Sequence, residues 1–94
     1  MEFTDNAVKA GSDAKGDLLV TLELIGAMRE IEIESKVGKK FGQAIQDAVE
    51  ELLDKYAITG AKVLVQDLGA LDFAVKARTE TAIKRALAKQ EAAK

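Results

Sequence analysis

Ninety-four residues, 48% apolar and 32% charged with a formal net charge of −2, point to one folded domain with room for a single modest core. The chain has no cysteine and no histidine, which excludes disulfides, thiolate catalysis and the commonest general base and zinc ligand. No apolar stretch approaches the ~20 residues of a membrane span. The start "MEFTDNAVKA" lacks the apolar run of a secretory signal, so the expected compartment is the cytoplasm.

The first periodic segment is "DLLVTLEL". Leu18, Val20, Leu22 and Leu24 share one face, which predicts a half-buried strand. After the link "IGAM", the run "REIEIES" alternates again, with Ile31 and Ile33 opposite Glu30, Glu32 and Glu34. Two alternating runs around a short glycine-bearing link read as a hairpin. The period then changes. Phe41, Ile45, Ala48, Val49, Leu52, Leu53 and Tyr56 form one apolar stripe, the mark of a long helix, with Gly60 beyond its end. Gly42 inside that helix costs about 1 kcal/mol relative to alanine, which suggests close approach of a neighbour.

"AKVLVQD" predicts a third strand, with Ala61, Val63 and Val65 on one face. In "LDFAVKAR" the shared parity of Phe73, Val75 and Ala77 favours a fourth strand, with Phe73 pointing inward. Thr79 then reads as an N-cap, with Glu80 in the first turn of a second helix whose apolar side holds Ile83, Ala86 and Leu87. The predicted order is β-β-α-β-β-α. The fold class is α+β, a four-stranded, largely antiparallel sheet with two helices packed on one face. The expected single domain spans 1–94, with residues 1–16 as a flexible N-terminal leader.

Charge is distributed unevenly. Residues 13–54 hold ten acids against five bases, and residues 76–94 hold six bases against two acids. This is either two solvated faces or a docking surface. Chemistry is harder to find. Without histidine or cysteine neither a Ser-His-Asp triad nor a thiol nucleophile can be assembled. "GSDAKGD" lacks the order of a phosphate-binding loop. The Glu30, Glu32 and Glu34 row reads as solvated strand carboxylates rather than a cation site. Of Phe3, Phe41, Phe73 and Tyr56, three are assigned to the core, which leaves no aromatic platform for nucleic acid. What remains is a carrier or an interaction module. A carrier needs one nucleophile on an accessible loop and a docking surface. The stretch "AVKAGSDAKGD", residues 7–17, offers Ser12. Ser12 also reads as an ordinary turn former, and Ser35 as a turn or cap residue at a strand end.

The block Asp67, Gly69-Ala70-Leu71-Asp72 and Ala77-Arg78, together with Phe41-Gly42, Ala10-Gly11 and Gly16-Asp17, resembles the acyl carrier (gamma) subunit family of citrate lyase over nearly the whole chain. The resemblance implies a non-catalytic carrier. It implies a phosphoribosyl-dephospho-CoA prosthetic group, of the phosphopantetheine-bearing type, joined to a serine by a phosphodiester, which would make the chain a phosphoprotein. Its thiol would shuttle an acyl group between the alpha (transferase) and beta (lyase) subunits, after loading by a prosthetic-group transferase. Nucleic acid and membrane are not implied as partners. When Ala10-Gly11 and Gly16-Asp17 are aligned, the family's modified serine falls on Lys15, which leaves Ser12 as the candidate attachment residue. Phe73 stands where the family often has cysteine, and Leu68 where a basic residue is common. The alternative is a non-covalent module that docks a larger subunit through its basic C-terminal helix.

Overall fold

The computed structural model describes residues 1–35 and 39–92. Strand β1 is Val8–Gly11, β2 Leu18–Leu24, β3 Arg29–Ser35 and β4 Ala61–Asp67; helix α1 is Lys39–Lys55 and α2 Asp72–Ala92. The α+β class and the four-stranded sheet are as expected, but the elements that build them differ in two places. The fourth strand is β1, which lies in the predicted leader, and "LDFAVKAR" opens α2 instead of forming a strand. The order is therefore β-β-β-α-β-α.

The sheet order is β1-β2-β4-β3. β2 pairs antiparallel with β1 and with β4, and β3 pairs parallel with β4. The expected β2–β3 hairpin is absent because β4 lies between the two strands. Composition explains the arrangement. β4 alternates Ala61, Val63 and Val65 with Lys62, Leu64 and Gln66, whereas β3 sets a glutamate at every second position. A row of charges suits a sheet edge, and the less charged strand takes the centre. Parallel pairing of β3 and β4 needs a long crossover, and α1 supplies it. The β2–β3 link crosses the start of β4: Ile25 N–H donates to Gly60 O at 3.2 Å, and Ala61 N–H to Met28 O at 3.1 Å. A Cβ on Gly60 would lie 1.8 Å from Ile25 O, so only glycine admits that crossing.

The strand registers set Val20 beside Val65 and Leu22 beside Val63, with Ile31 and Ile33 on the far side of the same valines. This apolar face meets Ile45, Val49, Leu53 and Ile83, all buried. α2 packs on β1 and β2, α1 on β3, and the two helices on each other, so both cover one face. On the other face Lys62 lies across from Glu23 and Glu30, a favourable cross-strand arrangement of charge. The Thr4 hydroxyl and N–H both donate to the Glu23 carboxylate, with Lys62 and Lys89 nearby, and these contacts hold its pKa below the ordinary value.

Three local expectations change, two of them with α2 and one in α1. Thr79 is not an N-cap but a buried residue inside the helix, and its hydroxyl has no hydrogen-bond partner among the described residues. Phe73 points outward, 72% exposed, because residues of one parity do not share a face once the backbone is helical. Among the described residues a Cβ on Gly42 would meet nothing within 4 Å, in place of the close neighbour expected.

Candidate functional site

The loop 12–17 joins β1 to β2, and its closure starts at Gly11. That residue has φ +95°, and a Cβ there would lie 2.0 Å from Leu18 O. Glycine lets the two strands meet at their ends. Ser12 N–H then donates to Leu18 O at 3.1 Å, and Asp17 N–H to Ala14 O at 3.0 Å.

Inside the loop Ser12 is half-buried. Its hydroxyl donates to Asp17 Oδ2 at 2.7 Å, and its oxygen accepts the Ala14 N–H at 3.3 Å. The second contact is the local turn bond expected of a loop serine. Asp17 is the hub. Its Oδ1 accepts Leu18 N–H at 2.8 Å, and Arg78 of α2 reaches both oxygens, Nε to Oδ1 at 3.2 Å and Nη2 to Oδ2 at 3.3 Å. This two-toothed geometry suits a guanidinium and would not suit an ammonium. The Ser12 hydroxyl first, then the Leu18 N–H and Arg78, hold the Asp17 carboxyl below its ordinary range. Lys15 is exposed in the middle of the loop.

A second turn supports the first. Gly16 N–H donates to Leu68 O at 2.7 Å, and Leu68 N–H to Asp17 O at 2.9 Å. Residues 68–71 are shaped by Asp67, which is 2% exposed. Its Oδ1 accepts Gly69 N–H at 3.2 Å and Ala70 N–H at 2.9 Å, and its Oδ2 accepts the Ser35 hydroxyl at 3.0 Å. α2 then starts with Ala74 and Val75 N–H bonded to Leu71 O. Ser35 thus ties the end of β3 to this turn.

Sequence reasoning singled out Ser12 and Lys15 and missed Asp17, Asp67 and Arg78 as working parts. All three lie in the blocks "GD" and "DLGALDFAVKAR" that carry the family resemblance. The Asp17–Arg78 pairing spans 61 residues and has no local signal. The basic end of the chain also reads differently in three dimensions. Arg78 pairs with Asp17 and Lys84 with Glu80, while Arg85 and Lys89 donate to the carbonyls of Lys9 and Asp5. Arg78, Arg85 and Lys89 bind the N-terminal part of the chain to α2, whereas Lys84 pairs within the helix; Lys94 lies outside the described residues. Among the described residues, no helix is long and apolar enough to cross a membrane.

Comparison with known proteins finds relatives over most of the chain. Residues 5–86 fit the family model described as "ACP: Malonate decarboxylase delta subunit (MdcD)". A citrate lyase acyl carrier protein of Haemophilus influenzae (strain PittEE) is 43% identical over 86 residues, covering 92% of this chain and 88% of the relative. The protein of the same name from Latilactobacillus sakei is 39% identical over 82 residues, 87% of this chain and 81% of the relative. That from Oenococcus oeni is 38% identical over 91 residues, 97% and 93%. The chain with the Ser12–Asp17–Arg78 loop belongs to this acyl carrier protein family, whose members are non-catalytic carriers.

Proposed function

We propose that the chain is the carrier subunit of a cytoplasmic citrate-lyase-type complex and bears its phosphoribosyl-dephospho-CoA prosthetic group on Ser12. The observation that carries the site is the loop itself. Ser12 is the one hydroxyl between Val8 and Asp17, and it is held 2.7 Å from a carboxylate.

The residues fit the group as follows. A phosphodiester needs a hydroxyl, which Ser12 supplies and the Lys15 amine does not. Attachment breaks the Ser12 O–H bond and the bond from the activated donor's phosphorus to its leaving group, forms one O–P bond and passes the proton to the attaching enzyme, so the hydrogen bond to Asp17 is given up. Asp17 keeps Leu18 N–H and Arg78, and is not left without partners. Arg78 and the nearby Lys15 offset the added negative charge. Asp17 orients the hydroxyl; its lowered pKa makes it a weak base at neutral pH, so removal of the proton falls to the attaching enzyme. When bound, the group supplies the thiol that holds the acyl thioester, and tethering keeps that thioester at high effective concentration for the alpha and beta subunits.

The test is the intact mass after incubation with the prosthetic-group transferase and its activated donor. Wild-type and Lys15→Ala chains gain the mass of the group, and Ser12→Ala does not. An adduct that survives Ser12→Ala, or an unmodified wild-type chain, overturns the assignment.

A further inference from the structure

Arg78 reaches from α2 onto the Ser12 loop, and only part of its guanidinium is used there. Nε and Nη2 form the fork to the two oxygens of Asp17, at 3.2 and 3.3 Å. Among the described residues Nη1 makes no hydrogen bond, so the edge formed by Nη1 and the second N–H of Nη2 is unused. That edge is itself a fork for a planar pair of oxygens. The side chain is 46% exposed, so a ligand can reach it. Its stem is held in place: a Cβ on Gly11 would lie 3.4 Å from Arg78 Cδ, which sets the stem alongside the backbone where the loop begins. The shared oxygen of Asp17 fixes how near the guanidinium stands to Ser12. Ser12 Oγ lies 2.7 Å from Asp17 Oδ2, and Arg78 Nη2 lies 3.3 Å from the same atom. Nη2 is therefore no farther from Ser12 Oγ than the sum of those two distances. One phosphate spans such a gap, through an Oγ–P bond, a P–O bond and a hydrogen bond.

We propose that this second fork of Arg78 binds the phosphodiester carried on Ser12, an inference that rests on the Ser12 reading. Arg78 is then a positioning residue with two partners at once. One edge holds Asp17 and with it the loop, and the other takes the non-bridging oxygens of the phosphate. Electrostatics calls for such a residue. A phosphodiester on Ser12 sets a negative charge beside the Asp17 carboxylate, and like charges that close repel. A cation in contact with both offsets the repulsion. The other charged side chains within the loop, Asp13 and Lys15, are of opposite sign and exposed. From the neighbouring turn, the Asp67 carboxylate faces Gly69, Ala70 and Ser35 instead. Arg78 is thus the cation that the structure fixes at the acceptor. A lysine could not fill both roles, because an ammonium is a point charge without two flat edges.

The test uses the full-length chain with phosphoserine built in at position 12, the phosphate serving as the probe, and follows its second ionisation by phosphorus NMR. A phosphate monoester loses its second proton near pH ~6, and a guanidinium in contact with it favours the doubly charged form. The midpoint with Arg78 in place lies about 0.5 pH unit or more below that of Arg78→Gln. Arg78→Lys, which keeps the charge but not the second fork, also titrates above the Arg78 chain, so the comparison holds even if Arg78→Gln fails to fold. A residue that only braces Asp17 would leave Arg78→Lys equal to the Arg78 chain. Lys84→Gln, which removes a charge elsewhere on α2, leaves the midpoint unchanged. In parallel the wild-type chain is loaded by the prosthetic-group transferase, and the adduct is located by fragmentation. An adduct away from Ser12 defeats the attachment reading and the proposal with it. With the adduct on Ser12, a phosphate midpoint that either Arg78 variant leaves unmoved overturns the second fork alone.

Discussion

Replacing Asp67 removes two carboxylate oxygens that accept three hydrogen bonds, and the structure shows how much each bond matters. The Ala70 N–H is buried, and in Asp67→Ala it loses its partner with no route to water. Gly69 is exposed, so its N–H can be hydrated, and the Ser35 hydroxyl can turn to another acceptor. An orphaned buried donor costs about 1–3 kcal/mol, and the two relaxing groups add a smaller amount. The expected loss is about 2–3 kcal/mol, a large share of the ~5–14 kcal/mol typical of a chain this size. Asp67→Asn keeps the oxygen that serves Gly69 and Ala70 and changes the atom facing Ser35, so about 1 kcal/mol or less is lost. Urea unfolding at constant m separates the two variants by their midpoints. Amide exchange adds the functional reading: in Asp67→Ala, Gly69, Ala70 and Gly16 exchange faster, because the turn at 68–71 holds the Ser12 loop. Wild-type stability in Asp67→Ala, or a loss in Asp67→Asn as large as in Asp67→Ala, would refute the claim that this carboxylate organises the turn.

Other positions give sharp expectations. Thr79→Val removes a buried hydroxyl that has no partner among the described residues while keeping the shape, and should stabilise the chain by about 1 kcal/mol, seen as a rise in thermal midpoint; a fall would mean that the hydroxyl is paired. Gly42→Ala fills open space in α1 and should gain about 0.5–1 kcal/mol in the same assay, whereas a loss would reveal a neighbour at that face. Glu23 and Asp17 both titrate below their ordinary values when folded, so the unfolded chain binds more protons in acid. Their contribution is complete above the unfolded carboxylate range of about pH 4 and is lost as pH falls through the folded values. Unfolding midpoints across that window should drop more steeply for wild type than for Glu23→Gln; parallel curves would contradict the Thr4–Glu23 contact.

The parts legible in the sequence are those with a long, clean period. The Phe41–Tyr56 stripe gave α1, and alternation gave β2, β3 and β4. The start of α2 was not legible, because "LDFAVKAR" is too short to separate the two periods and its alanines sit equally well inside or outside. β1 was hidden because four residues, "VKAG", carry no pattern; β2 supplies the partner that makes them a strand. Strand pairing failed for a related reason. Adjacency in sequence favoured a β2–β3 hairpin, and a distant strand with fewer charges took the centre. At the site, Ser12 was visible as a residue type on a glycine-bearing loop. Its position beside Asp17 was not, since Arg78 and the 68–71 turn reach it from the other end of the chain. Once folded, the two short blocks of the family resemblance are seen to meet as one structure.

The proposed attachment at Ser12 is tested most directly by the position of any adduct on the chain. Intact mass of the protein isolated from its own host, followed by fragmentation of the peptide containing residues 7–17, locates any adduct to a single side chain. Attachment at Ser12 predicts the added mass of the prosthetic group on that side chain, with Lys15 unmodified. An unmodified peptide, or the added mass on any other residue, would contradict it.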